Sequence, residues 1–244
     1  MVRMTELGAD GGWTASANAW IAFAPEHATR TLLLDPAVLA ECGDLHGKRV
    51  LDAGCGEGRF CRILASSGAE AVGLDPIAPM IQQAQASGSA NQRYVIGAGE
   101  SLPFRDASFD LVVFYLSLID ITGYRVAIND AYRVLRPGGK LIAANMSNIA
   151  SATEKPAYDE DGRFIHYAVA NYKDDFAMTL EWAGLRIRNW HRPLSAYMDA
   201  YLSAGFILSR FLEPAPQDES LRDDICYESW FRVPTFDLQV WQKP

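Results

Sequence analysis

From residue 49 onward the chain alternates short apolar runs with amphipathic stretches. Apolar runs bounded by glycines are typical of strands that are buried on both faces. These runs predict strands over residues 49–55, 70–76, 92–98, 109–118 and 140–147. Apolar residues at helical spacing predict helices over 58–68, 78–87, 124–139 and 195–206. Two further strands are expected after residue 206 and over residues 236–244.

This alternation predicts an α/β, Rossmann-like doubly wound fold, in which helices cover both faces of a mostly parallel sheet. Right-handed crossovers then place the binding crevice at the carboxyl ends of the strands, near the first strand. We expect a single domain over 1–244, with a cofactor-binding core at 49–147 and the C-terminal part of the sheet at 193–244. The polar stretch 148–192 shows no clean period and is interpreted as a cap over the crevice.

The N-terminal segment 1–48 contains apolar residues at helical spacing, including Trp13 and Trp20. One interpretation is an amphipathic helix that lies on the sheet. The other is a helical lid whose Trp13 or Trp20 covers the cofactor and an aromatic substrate. We keep both interpretations open.

Charge and composition exclude some classes of partner. The 244 residues carry a formal net charge of −8 and no runs of Lys or Arg, which argues against nucleic acid. The N-terminal apolar run is about half a membrane span, so we predict no signal peptide and no membrane partner. None of the four cysteines has metal-site spacing. We expect a cytoplasmic protein without a metal, as a monomer or homodimer.

The stretch VLDAGCGEGRF, residues 50–60, predicts a strand that enters a glycine-rich turn and then a helix. Such turns often hold phosphates, and Asp75 follows at the distance where dinucleotide folds bind a ribose. Arg59, however, occupies the slot of the third dinucleotide glycine, and the carboxylates of Asp52 and Glu57 would repel a pyrophosphate. S-adenosylmethionine fits better, because it has a positive sulfur, an ammonium group and no phosphate.

Four blocks in this order, VLDAGCGEG, GLDP, GESLPFRDASFDLVV and LRPGGKLI, resemble the class I S-adenosylmethionine-dependent methyltransferases. The resemblance covers roughly residues 49–147 and is closest to the branch that acts on small molecules. It implies a seven-stranded sheet of order 3-2-1-4-5-7-6 with the seventh strand antiparallel.

The resemblance also implies positions for the cofactor, S-adenosyl-L-methionine. Asp75 should accept from the ribose hydroxyls. The turn residues at the methionine end should be Asp52, Gly54, Cys55 and Gly56, and the residues near the adenine should be Pro76 and Met80. The chain departs from the family at Ala98, where many members have an Asp that accepts from the adenine amino group. Adenine recognition should then use backbone groups of Ala98 and Gly99, a water, or Glu100.

Methyl transfer is a displacement at an activated carbon, so positioning supplies much of the catalysis and a base is not obligatory. His191 is the first candidate base, because it lies next to a helix that is expected to begin with a proline near the crevice. Tyr115 is a second catalytic candidate, because it lies late in the fourth strand. Each could equally be a structural residue. His166 and Arg192 are further candidates for the substrate site, with a solvated surface as the alternative for both.

The predicted function is methyl transfer from S-adenosylmethionine to a small acceptor, aromatic or heterocyclic, at oxygen or nitrogen. Three alternatives stay open: an RNA or protein methyltransferase, a non-catalytic protein that binds S-adenosylmethionine, and a nicotinamide dehydrogenase. The acidic charge argues against the first, and Asp52 with Arg59 argues against the last.

Overall fold

A computed structural model describes residues 7–24 and 27–244, so part of the predicted lid segment 1–48 lies outside the described residues. The α-helices are α1 (Trp13–Phe23), α2 (Asp35–Cys42), α3 (Arg59–Ser66), α4 (Ala78–Ser87), α5 (Tyr124–Val134), α6 (Asn148–Ser151), α7 (Leu194–Ala204) and α8 (Ser229–Arg232). A π-helix, Thr29–Leu34, leads directly into α2. The strands are β1 (Arg49–Ala53), β2 (Glu70–Asp75), β3 (Gln92–Ile96), β4 (Phe109–Tyr115), β5 (Leu135–Met146), β6 (Thr153–Tyr158), β7 (Phe164–Val169), β8 (Phe176–Trp182), β9 (Leu185–His191), β10 (Ile207–Leu212) and β11 (Phe236–Gln242).

Seven strands form the main sheet, in the order β3-β2-β1-β4-β5-β11-β10. The first five are parallel, and β11 pairs antiparallel with both β5 and β10. Because β10 and β11 are the sixth and seventh strands of this sheet along the chain, the predicted order is confirmed. The carboxyl ends of β1, β2 and β4 therefore lie side by side at one edge.

The apolar core has one layer on each face of the sheet. Val112 and Phe114 of β4 point to the layer that contains α5 and α7, whereas Leu111 and Val113 point to the layer that contains α2 and α3. A strand that is covered on both sides has no polar face, which explains its continuous apolar sequence. The doubly wound fold class is confirmed.

The helix predicted to reach residue 139 ends earlier, at Val134. Pro137 disfavours a helical conformation at the residue before it, and the chain enters β5 at Leu135 instead. The amide of Gly138 donates to the carbonyl of Lys243 at 2.9 Å, so the Pro-Gly-Gly segment is held by the end of the chain beyond β11.

The cap at 148–192 is regular, and the expectation of an irregular segment is wrong. It contains two antiparallel hairpins, β6–β7 and β8–β9, which do not join the main sheet. Every second residue of β9 is buried, which is the period of a half-buried strand. This alternation is visible in the sequence LRIRNWH, residues 185–191, but the polar residues in it obscured the pattern.

No helix among the described residues is long and apolar enough to cross a membrane.

Candidate active site

A cavity of about 670 Å³ lies at the carboxyl ends of β1, β2 and β4. Its walls come from the turns that follow these strands, from α1 and from the β8–β9 hairpin. The backbone just before α1 is tied to this hairpin, because the amide of Arg188 donates to the carbonyl of Gly11 at 2.9 Å. Trp13 and Trp20 of α1 line the cavity, and the interpretation of 1–48 as a lid stays a prediction.

The glycine turn after β1 forms the floor of the cavity. Gly54 has a φ of 85°, and a Cβ at this position would overlap the Cβ of Ser117. Ser117 follows β4 and donates from Oγ to the carbonyl of Ala53 at 2.5 Å. Only glycine allows this approach, so Gly54 joins the turn after β1 to the segment after β4.

Asp75 lies in the cavity wall at the end of β2. Its Oδ2 accepts from the amide of Gly56 and its Oδ1 from the amide of Ile77, both at 2.9 Å. Burial raises the pKa of Asp75 to about 6, against the lowering effect of these two hydrogen bonds. Each oxygen keeps a free lone pair, so the fixed carboxylate can still accept from two hydroxyls.

Asp52 does not line the cavity, contrary to the position that the resemblance implies. Its side chain is only 1% exposed and lies beneath the glycine turn, where Oδ2 is 3.4 Å from the Sγ of Cys61. Glu57 takes the place in the wall instead. Its Oε2 accepts from the Nε1 of Trp20 at 2.9 Å, and its buried Oε1 has no partner in the described part of the chain.

Arg30 is a wall residue that the sequence analysis missed. Its Cζ lies 5.4 Å from the ring centroid of Trp20 and 5.2 Å from that of Tyr115. The residue is 6% exposed, and neither Nε nor Nη1 has a hydrogen-bond partner within residues 7–24 and 27–244. Within the part of the chain that the structure describes, Arg30 and Glu57 thus each keep polar atoms without a partner, on groups of opposite charge near the glycine turn.

The residues predicted to lie near the adenine also line the cavity. The predicted residues that line it are Pro76, Met80, Ala98, Gly99 and Glu100, and Cys55 and Gly56 line the floor. The carboxylate of Glu100 accepts from the amide of Gly123 at 3.1 Å, so it is already engaged. A Cβ on Gly99 would lie 2.8 Å from Ile121, so the segment after β4 closes this wall. The contacts of these residues with a ligand remain predictions.

Tyr115, Trp13 and Trp20 line the cavity as predicted. The hydroxyl of Tyr115 donates to Oδ1 of Asp35 at 2.8 Å, and Asp35 also forms an ion pair with Arg59. Burial and the Asp35 carboxylate raise the pKa of Tyr115 well above its ordinary range. The phenol therefore keeps its proton, and we do not propose it as a base.

His191 does not reach the cavity, which corrects the placement on which the base hypothesis depended. The ring is fully buried under the cap, with Nδ1 2.8 Å from the Oγ of Ser151 and Nε2 2.9 Å from the carbonyl oxygen of Tyr172. Since a carbonyl only accepts, Nε2 donates to Tyr172, and Nδ1 faces the serine hydroxyl. Both nitrogens are thus used to hold the cap.

The two other substrate candidates also lie outside the cavity. His166 is exposed on β7, where it pairs with Ala157. Arg192 is buried and donates to the carbonyls of Leu118 at 2.8 Å and Ile121 at 2.6 Å. Arg192 therefore fixes the segment after β4 and does not contact a ligand in the cavity.

This segment carries Asp120, a second wall residue that the sequence analysis missed. Burial raises the pKa of Asp120 to about 7, while hydrogen bonds from Trp13 and Asn189 lower it. The preceding sequence, FYLSLI, is typical of a buried strand. No local pattern therefore indicated that the acidic residue after it lines a cavity. No metal-binding cluster of His, Cys, Asp or Glu is found among the described residues.

The buried Asp52 predicts a dependence of stability on pH. Burial raises its pKa from 3.8 to about 7, so the folded chain binds a proton that the unfolded chain has lost. Stability that is present below about pH 4 is therefore lost as the pH rises toward about 7. We expect the difference in unfolding free energy, Asp52→Asn minus the unaltered chain, to increase as the pH rises from about 4 to about 7. Urea titrations at several pH values measure this difference. A difference that stays flat would contradict a raised pKa.

The chain is similar in sequence and in fold to several known proteins. A family profile described as a methyltransferase domain matches residues 51–143, from β1 through most of β5. The chain is 30% identical over 176 residues to the ubiquinone/menaquinone biosynthesis C-methyltransferase of Cereibacter sphaeroides, and the match covers 68% of each chain.

A second relative is the malonyl-[acyl-carrier protein] O-methyltransferase of Pseudescherichia vulneris, at 39% identity over 111 residues. That match covers 46% of this chain and 44% of the relative, so the chain spans less than half of its length. Among solved structures, an S-adenosylmethionine-dependent methyltransferase from Mesorhizobium loti superposes with a TM-score of 0.76 at 25% identity, over 85% of this chain and 96% of the other.

Proposed function

Because the chain belongs to the class I S-adenosylmethionine-dependent methyltransferases, we propose that it transfers a methyl group to a small, largely apolar acceptor held beneath α1. The acceptor atom in this proposal is an oxygen or a nitrogen. The names of the two relatives indicate an oxygen in one and a carbon in the other, so the relatives do not decide it.

The observation that carries the proposal is that Arg30 and Glu57, near the glycine turn, each keep side-chain atoms without a partner among the described residues. The methionine end of the cofactor has one carboxylate and one ammonium group. The free Nε and Nη1 of Arg30 suit the carboxylate, and the free Oε1 of Glu57 suits the ammonium. A buried polar group without a partner is costly, so a ligand that pairs with both is strongly favoured.

The other end of the cavity suits a nucleoside. Asp75 holds a carboxylate ready for two ribose hydroxyls, and the apolar side chains of Met80 and Ile121 offer flat contact for the base. Ala98 and Gly99 bring backbone groups to the same wall. When bound, the cofactor supplies a methyl carbon that its positively charged sulfur activates, and the residues of the chain orient the acceptor and exclude water.

The remaining wall supports a small apolar acceptor. It includes Leu180 and Trp182 of β8, Ile187 of β9 and Trp13 of α1. Aromatic and aliphatic walls bury flat apolar molecules and keep water from the reacting atoms. A folded protein or an RNA helix would need an open approach, whereas α1 and the hairpin lie over this cavity.

The test is methyl transfer from S-adenosylmethionine with an isotopically labelled methyl group, incubated with a small-molecule extract and, separately, with extracted RNA and protein. We expect label in the small-molecule fraction only, and its loss with the Arg30→Met variant. Label that enters RNA or protein would refute the acceptor class. Binding of S-adenosylhomocysteine without transfer to any fraction would instead favour a non-catalytic protein.

A further inference from the structure

The segment that follows β4 folds into a turn and contacts two parts of the cavity wall, since the amides of Asp120 and Ile121 donate to the carbonyl of Ser117 at 3.0 and 3.2 Å. At one end Ser117 contacts the glycine turn so closely that Gly54 has no room for a Cβ. At the other end Ile121 closes the nucleoside wall against Gly99. Asp120 belongs to the turn that joins these two contacts, and the sulfur of a bound cofactor would lie between its amino-acid and nucleoside ends.

Asp120 is held from two sides. Asn189 of β9 donates from Nδ2 to its Oδ1, and Trp13 of α1 also hydrogen-bonds to the carboxyl. Both partners belong to the elements that cover the cavity. The charged groups that act on Asp120 are Asp75, which raises its pKa, and Arg192, which lowers it. Arg192 itself donates to the carbonyls of Leu118 and Ile121 and fixes the backbone around Asp120.

None of the cofactor's groups is assigned to the carboxyl of Asp120. Its ribose is assigned to Asp75 and its amino-acid end to Arg30 and Glu57, whereas Asp120 faces the same space from the α1 side. A partly buried carboxyl in the cavity wall suits a proton transfer during the reaction.

We propose that Asp120 faces the transferring methyl group and accepts the proton of an acceptor that carries an O–H or N–H bond. This inference rests on the proposed function and deepens it. The acceptor's bond to hydrogen breaks and the proton moves to Asp120. The acceptor's electron pair forms the new bond to the methyl carbon, and the pair of the broken C–S bond stays on sulfur. Positive charge on sulfur and negative charge on Asp120 disappear together, so the charges balance.

A binding experiment tests this position without knowledge of the acceptor. Sinefungin is an analogue of S-adenosylmethionine in which a carbon bearing an amino group replaces the methylated sulfur, so its extra ammonium occupies the place of the methyl group. S-adenosylhomocysteine lacks any group there. We expect Asp120→Asn to weaken sinefungin by about tenfold or more in calorimetric titrations and to leave S-adenosylhomocysteine nearly unchanged. The comparison variant Asp75→Asn should weaken both ligands by the same factor.

A second measurement uses the unaltered chain. Because both ligands share the amino-acid and ribose groups, their affinity ratio isolates the methyl position. The preference for sinefungin should shrink from about pH 8 to about pH 5 as Asp120 takes up a proton. An affinity ratio that depends neither on pH nor on Asp120→Asn would overturn the inference and leave the proposed function standing. Failure of S-adenosylhomocysteine to bind at all would instead refute the proposed function.

Discussion

An Arg30→Met variant should bind S-adenosylhomocysteine about ten- to a hundredfold more weakly than the unaltered chain. The guanidinium lies buried between two aromatic rings with two nitrogens that lack partners among the described residues, and we assign them to the ligand carboxylate. A hydrogen bond to a charged group contributes about 1.5–3 kcal/mol, which corresponds to this loss. Methionine is also unbranched and keeps most of the apolar stem of the side chain.

The matched ligand is 5′-methylthioadenosine, which has the same nucleoside and sulfur but no amino-acid end. Its affinity should not change in Arg30→Met, and calorimetry on both ligands checks this. An exposed arginine provides the control variant, since Arg136→Met removes only an ion pair with Asp110 far from the cavity. An equal loss for both ligands would show that Arg30 shapes the whole cavity and does not hold a carboxylate. Melting should not fall in Arg30→Met, because the change removes a buried charge whose Nε and Nη1 lack hydrogen-bond partners among the described residues.

A Gly54→Ala variant should lose about 5–15 °C in melting temperature. A positive φ costs a residue with a side chain about 1–2 kcal/mol, and forcing an atom into a packed position costs about 1–3 kcal/mol more. For a chain of this size, about 1 kcal/mol corresponds to about 2–4 °C. The added methyl group would overlap the Cβ of Ser117, which cannot retreat easily because Ser117 is hydrogen-bonded to Ala53.

The variant Gly47→Ala separates the cost of the positive φ from the cost of the steric overlap. Gly47 has a φ of 67° and nothing within 4 Å of an added Cβ, so its variant carries the backbone strain alone. We expect a loss of about 2–8 °C there, by the same scaling. Equal losses in the two variants would mean that the contact between the glycine turn and Ser117 contributes no strain.

The sequence predicted those parts of the site that local chemistry specifies. Gly54 and Asp75 lie at a strand-to-helix turn and at a strand end, positions that a single motif defines, and both are in the cavity. The strand order followed from the resemblance and not from periodicity. Arg30 and Asp120 were missed, because one precedes and the other follows an apolar run and each gains its role only from elements distant in sequence.

His191 was predicted to lie at the site, but the structure places it outside the cavity. Its neighbourhood, an irregular cap before a proline-initiated helix, indicated a site near the crevice. The structure instead makes it the last residue of β9, where it contacts Ser151 and the carbonyl of Tyr172. Sequence could not show this, because both partners lie in other parts of the cap and their approach depends on how the cap folds.

The strand ladder of the β8–β9 hairpin has consequences for how this enzyme family could diversify. The two strands pair with each other and not with the seven-stranded sheet, yet they supply Leu180, Trp182 and Ile187 to the cavity. The residues assigned to the cofactor come instead from the π-helix, from α4 and from the segments that follow β1, β2, β3 and β4. Substitutions in the hairpin can thus change the part of the cavity wall that we assign to the acceptor without changing the residues that we assign to the methyl donor. New acceptor specificities are therefore accessible through a few substitutions in one surface element.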